Sequence, residues 1–201
     1  FTIPKKYPFD VFKNKNLNLG FDPKLHTDIS LKRLFKNTLI KLKPINKNLI
    51  DLVWRRKKNL NIKPFYLIKD LDAGEKFENK LFKLNKIIKS SKADYLFTTA
   101  SENIAWLLNI RGCDTDYSPL PNSHAFIGKN KEVFLFCNLK KINKSFKSKL
   151  NKKIKILNFD QLPHFLSVIF NKKILVDVLT CSFFFKSIIS KNNLIIEKQD
   201  P

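Results

Sequence analysis

Arg111, Asp114, Asp116 and Tyr117 stand together in one short stretch, SENIAWLLNIRGCDTDYSPLP, which runs from Ser101 to Pro121 and is stiffened by Pro119 and Pro121. A guanidinium, two carboxylates and a phenol this close in sequence can serve in two ways. The arginine can pair with a helix-end carbonyl or a loop carboxylate and simply hold the turn. Alternatively, the same groups can face a neighbouring domain or a bound peptide, as the rim of a site or an interface loop. Residue chemistry alone leaves both open, because charged and aromatic groups at the edge of a sheet suit either.

Catalysis asks for convergent groups with matched protonation roles, and the rest of the chain is poor in them. His26, His124 and His164 are scattered, and none sits in H-E-x-x-H or another two-histidine helical spacing. Each reads as a surface or core-edge histidine. With Gly 4 in the whole chain, a phosphate-cradling loop or a dinucleotide fingerprint is excluded. There is no G-x-S-x-G elbow. Cys113, Cys137 and Cys181 are widely spaced without a C-x-x-C pair, which fits reduced thiols in a cytosolic protein better than a disulfide framework or a zinc site. A meeting of Cys113 with His124 in space stays open.

The elements that must carry the loop are set by periodicity. Phe77, Leu81, Leu84 and Ile88 fall at i, i+4, i+7 and i+11, which predicts a helix from about Glu75 to Lys89. ADYLFTTA (Ala93–Ala100) is a buried-strand run. Ser101 is placed to cap the next helix, whose apolar side is Ile104, Ala105, Leu107 and Leu108; Gly112 offers a left-handed C-cap. SHAFIGKNKEVFLFCN predicts a hairpin with strands at Ala125–Ile127 and Val133–Cys137. KIKILNFD, KILVDV and NNLIIEKQ read as strands, QLPHFLSVIF and TCSFFFKSIIS as helices. Strands alternating with helices predict an α/β fold, a mixed β-sheet flanked by helices on its faces.

Upstream, a Pro-rich lead-in (Phe1–Phe12) precedes a strand at LNLGFD, a helix capped by Thr27 or Asp28, and a second strand in TLIKLKPI. This strand–helix–strand piece has nothing ahead of it to complete a sheet. Residues 1–54 therefore read as part of one domain, 70–201 as a second domain, and 55–69 as a linker lying on the surface of that second domain.

A formal net charge of +22 invites a nucleic-acid reading, that of a lysine-rich binding module without enzymatic activity. The lysines, however, are spread through every segment, and only Arg33, Arg55, Arg56 and Arg111 are arginine. Phosphate and base recognition favour arginine's bidentate fork. Abundant Lys, Asn, Ile and Phe instead fit A/T-rich codon usage, so nucleic acid is not the expected partner. No apolar run approaches the roughly 20 residues that span a bilayer, and Phe1–Asp10 lacks a secretory pattern. A soluble, cytoplasmic protein with no membrane partner is expected. The chain holds no methionine, so it is expected to begin inside a longer protein or after processing.

NIAWLLNIRGCDTDYSPLPNSHAFI resembles the region of Xaa-Pro aminopeptidases (aminopeptidase P) in which a helix reading I-A-W-L-L/F-N-[LI]-R-G leads into a D-x-x-x-x-P loop and a hairpin. LGFDPKLHT (Leu19–Thr27) resembles that family's G-[YFV]-D-P-x-L-x-T, and NLIDLVW (Asn48–Trp54) its N-L-[VI]-D-x-[VI]-W. The three motifs stand in the family's order over Leu19–Ile127; beyond them the likeness is one of element order. Two departures are visible. RRKKNLNIKP keeps little of the Arg-Pro-rich segment that usually follows the tryptophan, and Cys113 stands where serine is common.

The resemblance implies two related creatinase/prolidase-type N-terminal domains, the first only partly present here, ahead of a pita-bread catalytic domain in cis. That domain would bind two manganese ions through two aspartates, a histidine and two glutamates, none of them in this chain, so this region would carry no cofactor of its own. It would remove the N-terminal residue of peptides with proline at the second position. The present chain would be the non-catalytic region of such a metallopeptidase and inactive alone. It would shape the mouth of the active site, with the Arg111–Pro121 loop at its border, and contribute to a homodimer.

Overall fold

The computed structural model describes residues 14–54 and 63–201; the expected lead-in and most of the expected linker, residues 55–62, lie outside the described residues. The chain forms two compact units, one built on residues 14–54 with 182–184, the other on 63–181 with 185–201.

The first unit holds β1 (Asn18–Phe21), α1 (Asp28–Leu34), β2 (Lys41–Pro44) and α2 (Leu49–Val53). Strands β1 and β2 pair in parallel, Asn18 opposite Lys41 through Phe21 opposite Pro44. Thr27 does cap α1. Its hydroxyl accepts from the Ser30 amide and the Ser30 hydroxyl accepts from the Thr27 amide, a reciprocal box that satisfies two donors at the helix start. Asn48 caps α2 through a single bond, its side-chain oxygen accepting from the Ile50 amide at 2.9 Å, and its side-chain amide donates to the Asp22 carboxylate at 2.9 Å.

The second unit begins with β3 (Tyr66–Leu67), α3 (Asp70–Ala73) and α4 (Phe77–Ser90). It continues through β4 (Tyr95–Thr98), α5 (Ser101–Leu108), β5 (Ile110–Arg111), β6 (Ser123–Gly128) and β7 (Val133–Cys137). After a 3₁₀ turn at Leu139–Lys141 come α6 (Lys144–Lys149), β8 (Ile154–Asn158), α7 (Leu162–Ser167), β9 (Lys173–Val176), α8 (Phe183–Ile189) and β10 (Leu194–Glu197). Six strands form a sheet in the order β10-β9-β4-β6-β7-β8. Only β6 runs against its neighbours; every other pairing is parallel. This is the mixed sheet the alternation predicts.

Both faces of the sheet are covered, which explains why its strands read as nearly continuous apolar runs. Successive residues supply opposite faces. Leu96, Leu135 and Leu175 pack under α4 and α5 with Leu81, Leu84, Ile88, Ile104 and Leu108. Phe97, Phe136 and Val176 pack on the other face with Leu162 and Leu166 of α7 and Ile189 of α8.

Three local expectations are revised. Helix α5 begins at Ser101 itself, with Ala100 at the cap position and no side-chain cap bond. It ends not at Gly112 but at Asn109, which takes the left-handed conformation (φ 54°) that Asn tolerates better than most residues. Residues 63–69 of the expected linker join the second unit: Phe65 is 1% exposed, and Tyr66–Leu67 pair antiparallel with Ile110–Arg111. Apolar residues in a stretch without a clear period hid a two-residue strand.

His124 begins β6 within an aromatic cluster, its ring 5.3 Å from both Phe159 and Phe185 and 6.3 Å from Phe97. Its Nδ1 is buried without a hydrogen-bond partner. Burial lowers its pKa, backbone hydrogen bonds at Ser123 and Thr99 opposing in part. The unfolded histidine takes a proton near pH 6.5, the folded one only at lower pH. The neutral ring's stabilisation is therefore present above about pH 6.5 and is lost as the pH falls below it. His124→Leu should flatten the decline in urea midpoint between about pH 7 and pH 5.5; parallel declines in the two proteins would refute this.

Candidate functional site: the Arg111–Pro121 loop

Helix α5 delivers the chain to the loop. Its C-terminal end is held from α4 by Lys80, a lysine only 1% exposed. The Lys80 ammonium donates to the Trp106 carbonyl at 2.8 Å and to Asn109 Oδ1 at 2.7 Å, and it sits 4.5 Å from the centre of the Trp106 ring. A cation there satisfies carbonyls that the helix leaves without partners and complements the negative end of its dipole. Burial lowers the Lys80 pKa, while the nearby carboxylates of Glu75 and Asp70 act the other way. Asn109 in turn donates to the Glu75 carbonyl at 3.0 Å.

From this anchorage β5 leads out, and Arg111 turns back. Its Nη1 donates to the carbonyls of Ala105 (3.0 Å) and Ile110 (2.9 Å). The arginine thus holds the turn, one of the two roles its chemistry allows. Gly112 is required here by space rather than by φ. A Cβ on it would lie 2.8 Å from Pro121 Cα, 3.0 Å from the Leu120 carbonyl oxygen and 3.1 Å from the Phe65 ring. The two ends of the loop close on one another: the Gly112 amide donates to the Pro119 carbonyl at 3.1 Å and the Asp114 amide to that of Leu120 at 3.3 Å.

Asp114 also faces inward. One of its oxygens accepts from the Asn122 amide at 2.7 Å, and the other pairs with the Lys141 ammonium. Both side chains of this ion pair are 8% exposed. Burial lowers the Lys141 pKa, with Cys113 acting in the opposite direction. Removing one member of a buried pair typically costs about 3–5 kcal/mol, because the other is left charged without compensation.

Asp116 and Tyr117 form the tip, between Thr115 and Ser118, which bridge one another. Asp116 is exposed, and Tyr117 reaches 108% relative exposure with its backbone left-handed at φ 60°. For a bulky side chain that conformation costs about 1–2 kcal/mol. The four residues named from sequence therefore divide: Arg111 and Asp114 brace the loop, Asp116 and Tyr117 meet solvent.

The other candidates do not join them. His26 lies in the first unit, His164 on α7, and His124 among phenylalanines. None of the three cysteines is in a disulfide; burial pushes the Cys137 thiol up to about 12, far from a reactive thiolate. Among the described residues no group of three His, Cys, Asp or Glu side chains could hold a metal ion. The loop can recognise, but it holds no nucleophile–base pair. Sequence reasoning missed Lys80 and Lys141, since nothing distinguishes them from other lysines before the chain folds. It also missed Asp200, whose carboxylate accepts from Thr98 and, at 2.9 Å, from Asn103, and whose pKa burial raises.

Gly112→Ala should lower stability by about 1–3 kcal/mol, since Pro121 and Leu120 present backbone atoms that cannot swing aside. Urea denaturation would measure it, and an unchanged midpoint would count against the close approach.

The profile described as Creatinase/Prolidase N-terminal domain matches residues 56–201. An Xaa-Pro aminopeptidase of Caenorhabditis elegans is 30% identical over 137 residues, 67% of this chain and 22% of that protein. Xaa-Pro aminopeptidase 1 of Dictyostelium discoideum is 28% identical over 201 residues, 94% of this chain and 32% of that protein. In fold, the chain is similar to the crystal structure of X-prolyl aminopeptidase from Caenorhabditis elegans, described as a cytosolic enzyme with a di-nuclear active site. The TM-score is 0.81 at 23% identity, over 98% of this chain and 34% of that one. The chain thus spans about a third or less of the length of these proteins. With the profile matched from residue 56 to residue 201, over the whole six-stranded sheet and the loop beside it, the chain belongs to the creatinase/prolidase N-terminal domain family.

Proposed function

We propose that this chain is the N-terminal, non-catalytic region of an Xaa-Pro aminopeptidase, and that its Arg111–Pro121 loop borders the mouth through which peptides reach a catalytic domain in the same polypeptide. The observation that carries the reading is the family match, together with relatives named Xaa-Pro aminopeptidase that extend far beyond the matched region. The loop's part in it is supported by its build: a base tied by buried contacts and a tip of one carboxylate and one fully exposed tyrosine.

A metal-activated hydroxide attacks any amide that reaches it, so selectivity rests with whatever limits access. In this proposal the catalytic domain holds two manganese ions and the substrate is a peptide with proline at its second position. The present chain excludes long or folded polypeptides and contributes to a homodimer in the cytosol. The family resemblance gives all four loop residues a share in the rim. The inward turn of Arg111 and Asp114 transfers that role to Asp116 and Tyr117.

In the full-length protein, Tyr117→Ala and Asp116→Lys should lower kcat/KM for peptides of five or more residues about five- to tenfold, the worth of a single interface contact. Turnover of an Xaa-Pro dipeptide should be unaffected. The isolated chain should hydrolyse neither substrate with or without manganese. Equal losses on short and long peptides would remove the loop from the mouth, and hydrolysis by the isolated chain would overturn the whole reading.

A further inference from the structure

The geometry points to Lys141 as the positioning residue of the loop, a clamp that presents Asp116 and Tyr117 to a peptide in one fixed geometry. Three segments distant in sequence meet at this lysine. Its main-chain carbonyl accepts from the Phe65 amide at 3.0 Å, ahead of β3. Its own amide donates to Asn138, in the 3₁₀ turn that closes β7. Its ammonium reaches the Asp114 carboxylate at the base of the loop and lies 5.9 Å from the Phe65 ring centre. The Asp114 carboxylate also holds the Asn122 amide, just past the second proline. Both ends of the loop are thereby attached, through one carboxylate, to one buried cation.

The tip makes the purpose of such a clamp intelligible. Tyr117 is wholly exposed and left-handed, so no packing of its own side chain holds it in place. A fully exposed aromatic group loses little on binding if its backbone is already ordered, and the clamp supplies that order before any partner arrives. Lys141 is too buried to touch a peptide; it acts through the Asp114 loop. This inference rests on the proposed place of the loop at the mouth, but the clamp itself can be tested apart from it.

Hydrogen exchange on the chain, without any substrate, reads the clamp. In Lys141→Met, protection of the Asn122 and Gly112 amides should fall at least tenfold while that of Phe97 and Phe126 in the sheet is kept. Lys141→Arg should restore it. Unchanged protection at Asn122 and Gly112, or a uniform loss through the domain, would overturn the clamp. If Lys141→Met does not fold, the double variant Lys141→Met/Asp114→Leu, which leaves no unpaired charge, takes its place. In the full-length protein, Lys141→Met should raise KM for peptides of five or more residues about fivefold, with kcat unchanged on an Xaa-Pro dipeptide. In a Tyr117→Ala/Asp116→Lys background it should add nothing, because the clamp acts only through the tip. Lost protection with an unaltered KM would keep the clamp and sink the place of the loop at the mouth.

Discussion

A sheet buried on both faces leaves no room for an unpaired charge, and this constraint governs how the rest of the second unit is arranged. Leucines under α4 and α5 and phenylalanines against α7 and α8 fill the two faces of the same strands. Polar groups carried into such surroundings must bring partners, since an isolated buried charge is far costlier than a paired one. Lys80 finds the carbonyl end of α5, Asn85 the main chain at Lys129, and Lys141 the Asp114 carboxylate. Each of these bonds joins segments that are far apart in sequence, so satisfying the charge also fixes the fold.

The loop after α5 shows the consequence. Its inward groups are consumed in holding it: Arg111 on two carbonyls, Gly112 pressed against Pro121, Asp114 between Lys141 and Asn122. What is left over faces water. A tip of one carboxylate and one tyrosine on a rigid base suits recognition, where an exposed aromatic group with little freedom to lose is favoured. It does not suit bond breaking, which needs a nucleophile and a base within hydrogen-bond reach. Membership of the creatinase/prolidase N-terminal domain family and the geometry of the loop are the two grounds on which a role in admitting substrate is proposed.

The lysines behind the net charge of +22 are spread through the chain. Lysines occur on both sides of this balance, some buried in pairs and most exposed. The ammonium groups of Lys86 and Lys131 lie 4.6 and 5.1 Å from the centre of the half-exposed Phe82 ring, and that of Lys155 lies 5.4 Å from the centre of Phe134, contacts in which the cation faces the aromatic ring.

Helical period, the α1 cap and one turn were readable from the residues alone. The i, i+4, i+7 spacing of Phe77, Leu81 and Leu84 set α4; the Thr27 cap set α1; the turn after Gly128 set the β6–β7 hairpin. These are local properties, decided by backbone sterics and neighbouring side chains. The two-residue β3, the left-handed Asn109 and short α6 escaped, because each is stabilised by contacts from other segments more than by its own pattern. The same holds at the loop. Its composition marked Arg111, Asp114, Asp116 and Tyr117 together, but which of them turn inward depended on where Lys141, Phe65 and the end of α5 came to lie. Sequence determined the longer elements and the family, since both are written in residues close along the chain. Tertiary structure decided the division between brace and tip, because a buried charge takes whichever partner the folded chain brings within reach.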